Sequence, residues 1–172
     1  MENPLKYSLT VRFKDRHILN LLAPLSGKSI LDVGCGKGYL IYELTQVVPG
    51  VEVAGVDISN YAIDNAKEEI KPLLIQGEAQ KLPYESNEFD LVLSINVLHN
   101  LSISDLWKSL YEIGRVAKRS KYIVMDSYRN EDEKSNLLFW QLTCECFYTP
   151  QEWEWIFKQC DYRGDYSFIF YE

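Results

Sequence analysis

Residues 30–40 have the sequence ILDVGCGKGYL (Ile30–Leu40). An apolar run leads into an acid, three glycines follow at alternate positions, and helix-forming residues come after them. This pattern predicts a buried strand, a tight turn and the start of a helix, because glycine accepts backbone angles that other residues avoid. In open α/β sheets, nucleotide-like ligands bind at such turns, where backbone groups and a helix N-terminus meet.

The spacing of the glycines argues against a dinucleotide ligand. A dinucleotide fingerprint has glycines at its first, third and sixth positions, which would be Gly34, Gly36 and residue 39, but residue 39 is Tyr. The third glycine is Gly38, and the Tyr39 side chain would stand near the path of a pyrophosphate. Asp57 follows a second apolar run, and an acid at the tip of a second strand can accept both ribose hydroxyls of an adenosine.

Three segments carry a resemblance to a known family, and in chain order they are LDVGCGKG, VAGVDIS and GEAQKLPYESNEFDLVLSINVLHN. With them the chain resembles the class I S-adenosylmethionine (SAM) dependent methyltransferases, and most of all the bacterial small-molecule group that includes the ubiquinone and menaquinone methyltransferases. The resemblance covers about residues 28–100 and is one of fold alone beyond them. It implies SAM as cofactor and S-adenosylhomocysteine as product.

The resemblance assigns roles to the residues of the glycine turn. Asp32 would orient the methionine end of SAM, through water or the ammonium group. Gly34, Cys35 and Gly36 would offer backbone groups to the methionyl part, and Gly38 would let the first helix approach closely. The alternative is a structural strand–turn–helix without a ligand.

Residues of the later segments complete the expected cofactor site. Asp57 should accept the ribose hydroxyls, unless it only caps a helix, and Ile58 should pack on the adenine face. By resemblance, Glu78 and the backbone N–H of Ala79 would meet the adenine edge, although most relatives have Asp in place of Glu78, which could also be a surface-loop residue. Asn96 follows the fourth strand, at the carboxyl edge where ligands bind, and should reach the methionyl ammonium.

The acceptor side has fewer signals. His99 could act as a general base, because an imidazole titrates near neutral pH; alternatively it begins the next helix or packs at the rim. Residues 128–148 follow the fifth predicted strand and so open on the same edge. We expect Tyr128, Arg129 and Glu131 to contact the acceptor, with Arg129 pairing with a carboxylate or phosphate. The alternative is a solvated polar loop.

Composition excludes several classes of partner. The chain has 172 residues and a net charge of −7 at pH 7, whereas a nucleic-acid-binding face needs clustered positive charge. No apolar run approaches the ~20 residues that span a bilayer, and residues 1–17 contain no signal-peptide core. We therefore expect a cytoplasmic protein that acts on a small molecule, with no nucleic-acid partner and no membrane span.

Cysteine and histidine usage indicates no metal site. The cysteines are Cys35, Cys144, Cys146 and Cys160, with no CxxC pair, and the chain has 2 histidines. Reduced, partly buried thiols are the expected state in a cytoplasmic protein. A structural zinc site would need more ligands at closer spacing.

Alternating helix and strand signals predict parallel βαβ units in a single domain over residues 1–172. Residues 1–27 should hold a helix that forms a short lid. The predicted strands are 29–33, 52–57, 73–76, 89–95, 122–126 and 166–171, and the predicted helices are 39–48, 59–70, 104–116, 133–146 and 150–160. By resemblance the full family sheet has seven strands, one of them antiparallel. One strand follows the last helix here, so we expect a three-layer Rossmann-like sheet, mostly parallel, with six strands and a shortened C-terminal edge.

The favoured hypothesis is a SAM-dependent methyltransferase that acts on a small-molecule acceptor, with oxygen preferred over nitrogen or carbon as the acceptor atom. A second hypothesis is a SAM-binding subunit or regulator without catalysis. A third, a nicotinamide-dependent oxidoreductase, is disfavoured by Tyr39. The C-terminal region is rich in aromatic residues, and a homodimer through that region is a further expectation.

Overall fold

The computed structural model describes residues 23–171. Of the helical lid predicted for residues 1–27, residues 1–22 lie outside this description, and Ala23–Leu25 form a 3₁₀ turn. The strands are β1 (Ser29–Val33), β2 (Glu52–Asp57), β3 (Leu74–Gln76), β4 (Phe89–Ile95), β5 (Ala117–Asp126) and β6 (Asp165–Ile169). The α-helices are α1 (Tyr39–Val47), α2 (Asn60–Asp64), α3 (Ile103–Val116), α4 (Glu131–Trp140) and α5 (Pro150–Gln159).

All six strands form one sheet in the order β3-β2-β1-β4-β5-β6. Every neighbouring pair is parallel, so the carboxyl ends of the strands meet at one edge. The predicted six-stranded α/β sheet is confirmed. β6 pairs directly with β5, so the described part of the sheet is wholly parallel, and β6 is one of its two outer strands.

The two faces of the sheet are covered by different helices. Alternate residues of a strand point to opposite faces; accordingly Ile30 belongs to the buried cluster that includes Leu44 of α1, and Leu31 belongs to the cluster of α3 and α5. The second cluster is the larger and contains the buried Trp153 of α5. The helices thus form one layer on each face of the sheet. The carboxyl ends of the strands lie at an edge between these two layers.

Helix starts follow the sequence more closely than helix ends. Ser59 caps α2 by accepting the Ala62 N–H, and Thr149 and Glu152 form a capping box at α5. However, α2 ends at Asp64, six residues before the predicted end, and the Asn65 amide donates to the Tyr61 carbonyl at 2.8 Å. Here a polar side chain takes the acceptor of the last turn.

Two other boundaries differ from the predicted ones by five residues or more. α4 ends at Trp140 instead of residue 146, because the backbone N–H groups of Glu145 and Cys146 donate to the carbonyl of His99 and not to a helical turn. β5 begins at Ala117, five residues earlier than predicted, since parallel pairing with Phe89 of β4 overrides the local run of charged residues. No helix within residues 23–171 has the length and apolar character needed to cross a membrane.

Candidate functional site

A cavity of ≈ 360 Å³ lies at the carboxyl edge, where β1, β2, β3 and β4 end. Its volume lies in the range of about 300–1,000 Å³ typical of small-molecule sites. The position lies beside the point where the strand order reverses, between β1 and β4, where ligands of open α/β sheets bind. The lining residues are Gly34, Val56, Asp57, Ile58, Gly77, Ala79, Gln80, Asn96, Val97, Asn100 and Leu101.

The turn after β1 needs glycine for two reasons. Gly34, Gly36 and Gly38 have φ angles of 81°, 55° and 69°, which disfavour any residue with a Cβ. In addition, a Cβ on Gly34 would overlap the Val97 side chain, and one on Gly38 would lie 2.6 Å from a methyl group of Ile70. The turn therefore lies close against both the β4 tip and the α1–α2 layer.

The backbone donors of this turn are used within the fold. Gly34 and Cys35 donate their N–H groups to the Val56 carbonyl at 2.7 and 3.1 Å, and Gly36 donates to Asp57 Oδ2 at 2.7 Å. These three N–H groups are therefore engaged within the fold, and the predicted contact of this backbone with a methionyl group stays a prediction. A phosphate at a helix N-terminus is held by free donors, and these three are not free. The Cys35 side chain is buried in the α1–α2 cluster.

Asp57 is held rigidly at the tip of β2. Its Oδ1 accepts the Ser59 N–H at 2.8 Å, and its Oδ2 accepts the Gly36 N–H. A carboxylate oxygen can accept two hydrogen bonds, which leaves capacity on both oxygens toward the cavity. Ile58 next to it is 67% exposed on the cavity wall, so an apolar surface lies beside an oriented carboxylate.

Asp32 is the last residue but one of β1; it is 5% exposed and is not among the cavity-lining residues. Burial, and secondly the nearby charge of Asp57, raise the pKa of Asp32 to about 7. A buried carboxyl with a raised pKa gains most when a cation approaches it. This placement suits a residue that responds to a positively charged ligand group without lining the cavity.

Asn96 closes β4 with a strained backbone. Its φ of 58° lies in the left-handed region, where asparagine is one of the few tolerated residues, and such strain clusters at functional sites. Its N–H donates to the Val124 carbonyl at 2.9 Å, and its own carbonyl accepts the Asn100 amide at 3.3 Å. The Asn96 carbonyl is thereby fixed at the cavity.

Glu78 and its neighbours are arranged differently from the prediction. Ala79 lines the cavity, whereas Glu78 is exposed and is not among the lining residues; Gln80 is. Gln80, two residues after Glu78, places its side chain amide among the lining residues, and the contact of Glu78 with adenine stays a prediction.

His99 lies in the core and not at the cavity wall. It is fully buried, and its Nδ1 accepts the backbone N–H of Asp126 at 3.2 Å. This bond assigns the proton of the neutral ring to Nε2, which lies 3.4 Å from Asp126 Oδ2. Burial lowers the pKa of His99 to about 4, so the contact joins a neutral imidazole to a carboxyl group and is not an ion pair. The basic lone pair needed by a general base is engaged.

Residues 128–148, called the post-β5 segment below, hold the predicted acceptor contacts. Arg129 forms an ion pair with the carboxylate of Glu133 and lies 4.2 Å from the Phe170 ring. Lys134 lies over the Tyr128 ring and reaches within 3.9 Å of Glu131. The three predicted residues therefore contact neighbours on and around α4, and none of them lines the cavity.

Metal ligation finds no support in the described residues. Within residues 23–171, no three His, Cys, Asp or Glu side chains are grouped so that they could hold a metal ion. Cys144 and Cys146 are buried thiols, and burial raises the pKa of both.

Comparison with known proteins identifies the family. A model described as a methyltransferase domain matches residues 24–161. The chain belongs to the class I SAM-dependent methyltransferases. As predicted, this methyltransferase chain has a six-stranded α/β sheet, and its cavity lies at the carboxyl edge.

Two curated relatives give the extent of the match. An uncharacterized methyltransferase from Synechocystis sp. is 34% identical over 124 residues, which are 71% of this chain and 56% of the relative. A demethylmenaquinone methyltransferase from Staphylococcus saprophyticus is 32% identical over 149 residues, 84% of this chain and 54% of the relative. The methyltransferase chain thus spans about half the length of these relatives.

A solved structure shares the fold. The Haloferax volcanii chain from a complex with the Trm112 methyltransferase activator superposes with a TM-score of 0.67 at 23% identity, over 86% of this chain and 67% of that one. At this identity the likeness shows the fold alone.

Several lining residues of the methyltransferase cavity were missed by sequence reasoning. They are Val56, Gly77, Gln80, Val97, Asn100 and Leu101. All except Leu101 lie inside the segments that carry the resemblance, and Leu101 directly follows the last of them. The available signal was their place after a strand end, since residues that follow β3 and β4 must reach the carboxyl edge.

Proposed function

We propose that this chain binds SAM in the cavity and transfers its methyl group to an oxygen atom of a small-molecule acceptor. The observation that carries the proposal is Asp57, an oriented carboxylate beside the exposed Ile58, next to a turn in which the N–H groups of its first three residues are already used. This combination suits a nucleoside with a cationic tail better than a pyrophosphate.

Different residues of the cavity would contact the ribose, the adenine and the methionyl part of SAM. Asp57 would accept the ribose hydroxyls and Ile58 would cover the adenine, with Ala79 and Gln80 at its edge. The fixed carbonyl of Asn96 and the buried carboxyl of Asp32 would attract the methionyl ammonium. SAM supplies a methyl group on a sulfonium, which is a good leaving group. The chain's own contribution is to hold and align the reacting partners.

The acceptor oxygen is proposed to react without a general base from the protein. Asp57 is the single ionisable side chain among the cavity-lining residues, and the lone pair of His99 is engaged with Asp126. We therefore assign His99 a positioning role in place of proton removal. An acceptor oxygen that is already ionised near neutral pH, such as a carboxylate, needs no base. The net charge of −7 disfavours a nucleic-acid acceptor.

Calorimetry with SAM, S-adenosylhomocysteine and NAD tests the ligand. We expect binding of the first two and none of NAD. The Asp57→Asn variant should bind S-adenosylhomocysteine about tenfold more weakly, because a charged acceptor for hydroxyl donors is lost. Asp64→Asn, an exposed acid at the end of α2, is the matched control and should bind normally. Binding of NAD in preference to SAM would overturn the proposal.

Turnover is tested separately, by mass spectrometry of S-adenosylhomocysteine formed from SAM with a metabolite extract. Product formation that depends on the extract supports catalysis. Tight SAM binding without product in any extract would instead support the SAM-binding subunit or regulator.

Self-association through the C-terminal aromatic region stays a prediction. Most of these rings contact one another inside the fold, as Trp153 does with Tyr148 and Phe157, whereas Trp155 is largely exposed. Light scattering after size-exclusion chromatography tests it: a Trp155→Ser variant should shift a dimer to monomer, and a monomeric wild type would overturn it.

A further inference from the structure

The side chain of Asn100 joins the cavity to the post-β5 segment. Asn100 lines the cavity and follows Asn96 by one turn. Its Nδ2 donates to the Asn96 carbonyl at 3.3 Å, and its Oδ1 accepts the Thr143 hydroxyl at 2.9 Å. One amide therefore spans from the strained tip of β4 to the chain that follows α4.

The backbone around Asn100 reinforces this connection. Leu98–Asn100 form a 3₁₀ turn, and the His99 carbonyl accepts the N–H groups of Glu145 and Cys146 at 2.8 and 2.9 Å. The Cys146 thiol also donates to the Leu101 carbonyl at 3.1 Å. Residues 143–146 are thus attached to the turn that carries the cavity wall, and not to α4.

The attached residues have little other support on the solvent side. Leu142 is 90% exposed, and Thr143 and Glu145 are also exposed. Cys144 and Cys146 are buried, so the low cost of local opening that goes with few buried contacts applies to the exposed residues beside them. The order of Thr143 and Glu145 therefore depends on the turn Leu98–Asn100, whose position is set by Asn96 on one side and by the buried His99 on the other.

We infer that Asn100 is a positioning residue that couples occupancy of the cofactor cavity to the order of residues 143–146. The inference rests on the proposed function, because it takes the Asn96 carbonyl as a contact of the ligand's ammonium. A ligand that fixes Asn96 fixes Asn100, which in turn holds Thr143 and the two amides bound to His99. Residues 143–146 then become more ordered when the methyl donor is bound.

Two variants test separately the two hydrogen bonds that the Asn100 side chain makes, one with Asn96 and one with Thr143. Thr143→Val removes the hydroxyl donor and leaves the Asn100–Asn96 bond. Asn100→Asp keeps an acceptor for Thr143 but places a carboxylate against the Asn96 carbonyl, which removes the donor and adds repulsion. Thr45→Val, which removes an exposed hydroxyl from α1, is the matched control for the first variant.

Hydrogen exchange by mass spectrometry, with and without S-adenosylhomocysteine, tests the coupling, and calorimetry measures the affinity in parallel. In the wild type and Thr45→Val, the ligand should slow exchange of the Glu145 and Cys146 amides by about fivefold. In Thr143→Val the slowing should fall below about twofold, with affinity changed less than about threefold. In Asn100→Asp the affinity should fall by about tenfold.

The outcomes distinguish the two proposals. If the wild type binds S-adenosylhomocysteine and exchange at residues 143–146 does not change, the coupling is overturned and the proposed ligand stands. Undiminished slowing in Thr143→Val overturns the coupling as well. If no S-adenosylhomocysteine binds, the proposed function fails, and the coupling fails with it.

Discussion

The cavity and the post-β5 segment lie on the same edge of the sheet but are built in different ways. At the cavity, the backbone places the groups: Gly34 has left-handed angles, and Asp57 is held by two backbone N–H groups. At the start of the post-β5 segment, side chains satisfy one another, as Arg129 does with Glu133. A site placed by backbone is preorganised, whereas a segment held by side-chain pairs can rearrange its contacts when a partner arrives.

The apolar residues show the same difference. Ile58 is exposed at the cavity next to an oriented carboxylate. By contrast, Phe139, Trp140 and Leu142 of the post-β5 segment are exposed and do not line the cavity. An exposed apolar side chain thus lies beside an oriented carboxylate at the cavity and away from it in the post-β5 segment, and five sets of substitutions test this difference between the two regions.

Gly34→Ala should have the largest effect. A Cβ there overlaps Val97 and needs a left-handed backbone, so S-adenosylhomocysteine affinity should fall at least about 100-fold. Gly114→Ala, where a Cβ meets no atom within 4 Å, is the control. Calorimetry and circular dichroism check both, and a Gly34→Ala/Val97→Ala double variant should recover part of the loss. Normal binding by Gly34→Ala would mean that the turn is not placed by its backbone.

Substitution of His99 should have the second-largest effect. His99→Ala leaves the Asp126 N–H without its acceptor and opens a cavity in the core, at a cost of about 2–4 kcal/mol in the free energy of unfolding. His99→Asn supplies an oxygen where Nδ1 lies and should recover much of that stability together with most of the turnover. Urea unfolding and kcat decide: a stable, folded His99→Asn without turnover would restore the general base.

Asp32 should make stability depend on pH. Its pKa, raised from 3.8 to about 7, means that the folded protein holds a proton that the unfolded chain has released. The free energy of unfolding therefore falls as the pH rises from about 4 to about 7. Asp32→Asn removes this contribution, so its stability relative to the wild type should grow over that range. Denaturation at a series of pH values measures the difference, and a constant difference would contradict it.

Substitutions of Arg129 and Glu133 test whether ion pairs between its own side chains hold the post-β5 segment. If their contact is structural, Arg129→Met and Glu133→Gln should each lower Tm by a few degrees, and the double variant should lower it by less than the sum. KM for the acceptor, once an acceptor is known, should not change. A raised KM with unchanged Tm would return Arg129 to the acceptor site.

Phe139→Ser should have the smallest effect. The side chain is 78% exposed on α4, so the free energy of unfolding should change by less than about 0.5 kcal/mol. Leu137→Ala, on the same helix but fully buried, should cost about 2–5 kcal/mol. Equal losses in chemical denaturation would show that the exposed patch is packed in solution.

The sequence predicts well those features that depend on local backbone preferences. Strand ends, the glycine turn and the capping box follow from residue types whose conformational preferences are strong, and β1, β2 and β4 have the predicted bounds. Asp57 could be placed because a strand tip has one location in a parallel sheet.

Side-chain contacts that depend on the tertiary structure could not be predicted from the sequence. His99 follows Asn96 closely in sequence, but its ring turns into the core because Asp126 of β5 offers an N–H there. Arg129 meets Glu133 because α4 begins at Glu131, two residues earlier than the sequence indicated. Gln80 and Asn100 carry no motif of their own, and their place at the cavity depends on loops whose paths are set by long-range contacts.

The outer position of β6 has a consequence for handling the protein. β6 pairs with β5 along one side, and among residues 23–171 no strand pairs with its other side. An open edge is a template for strands of other molecules, and Tyr166 and Phe168 add apolar surface beside it. Concentrated solutions should therefore associate first along this edge, and charged substitutions there are the direct route to better solubility.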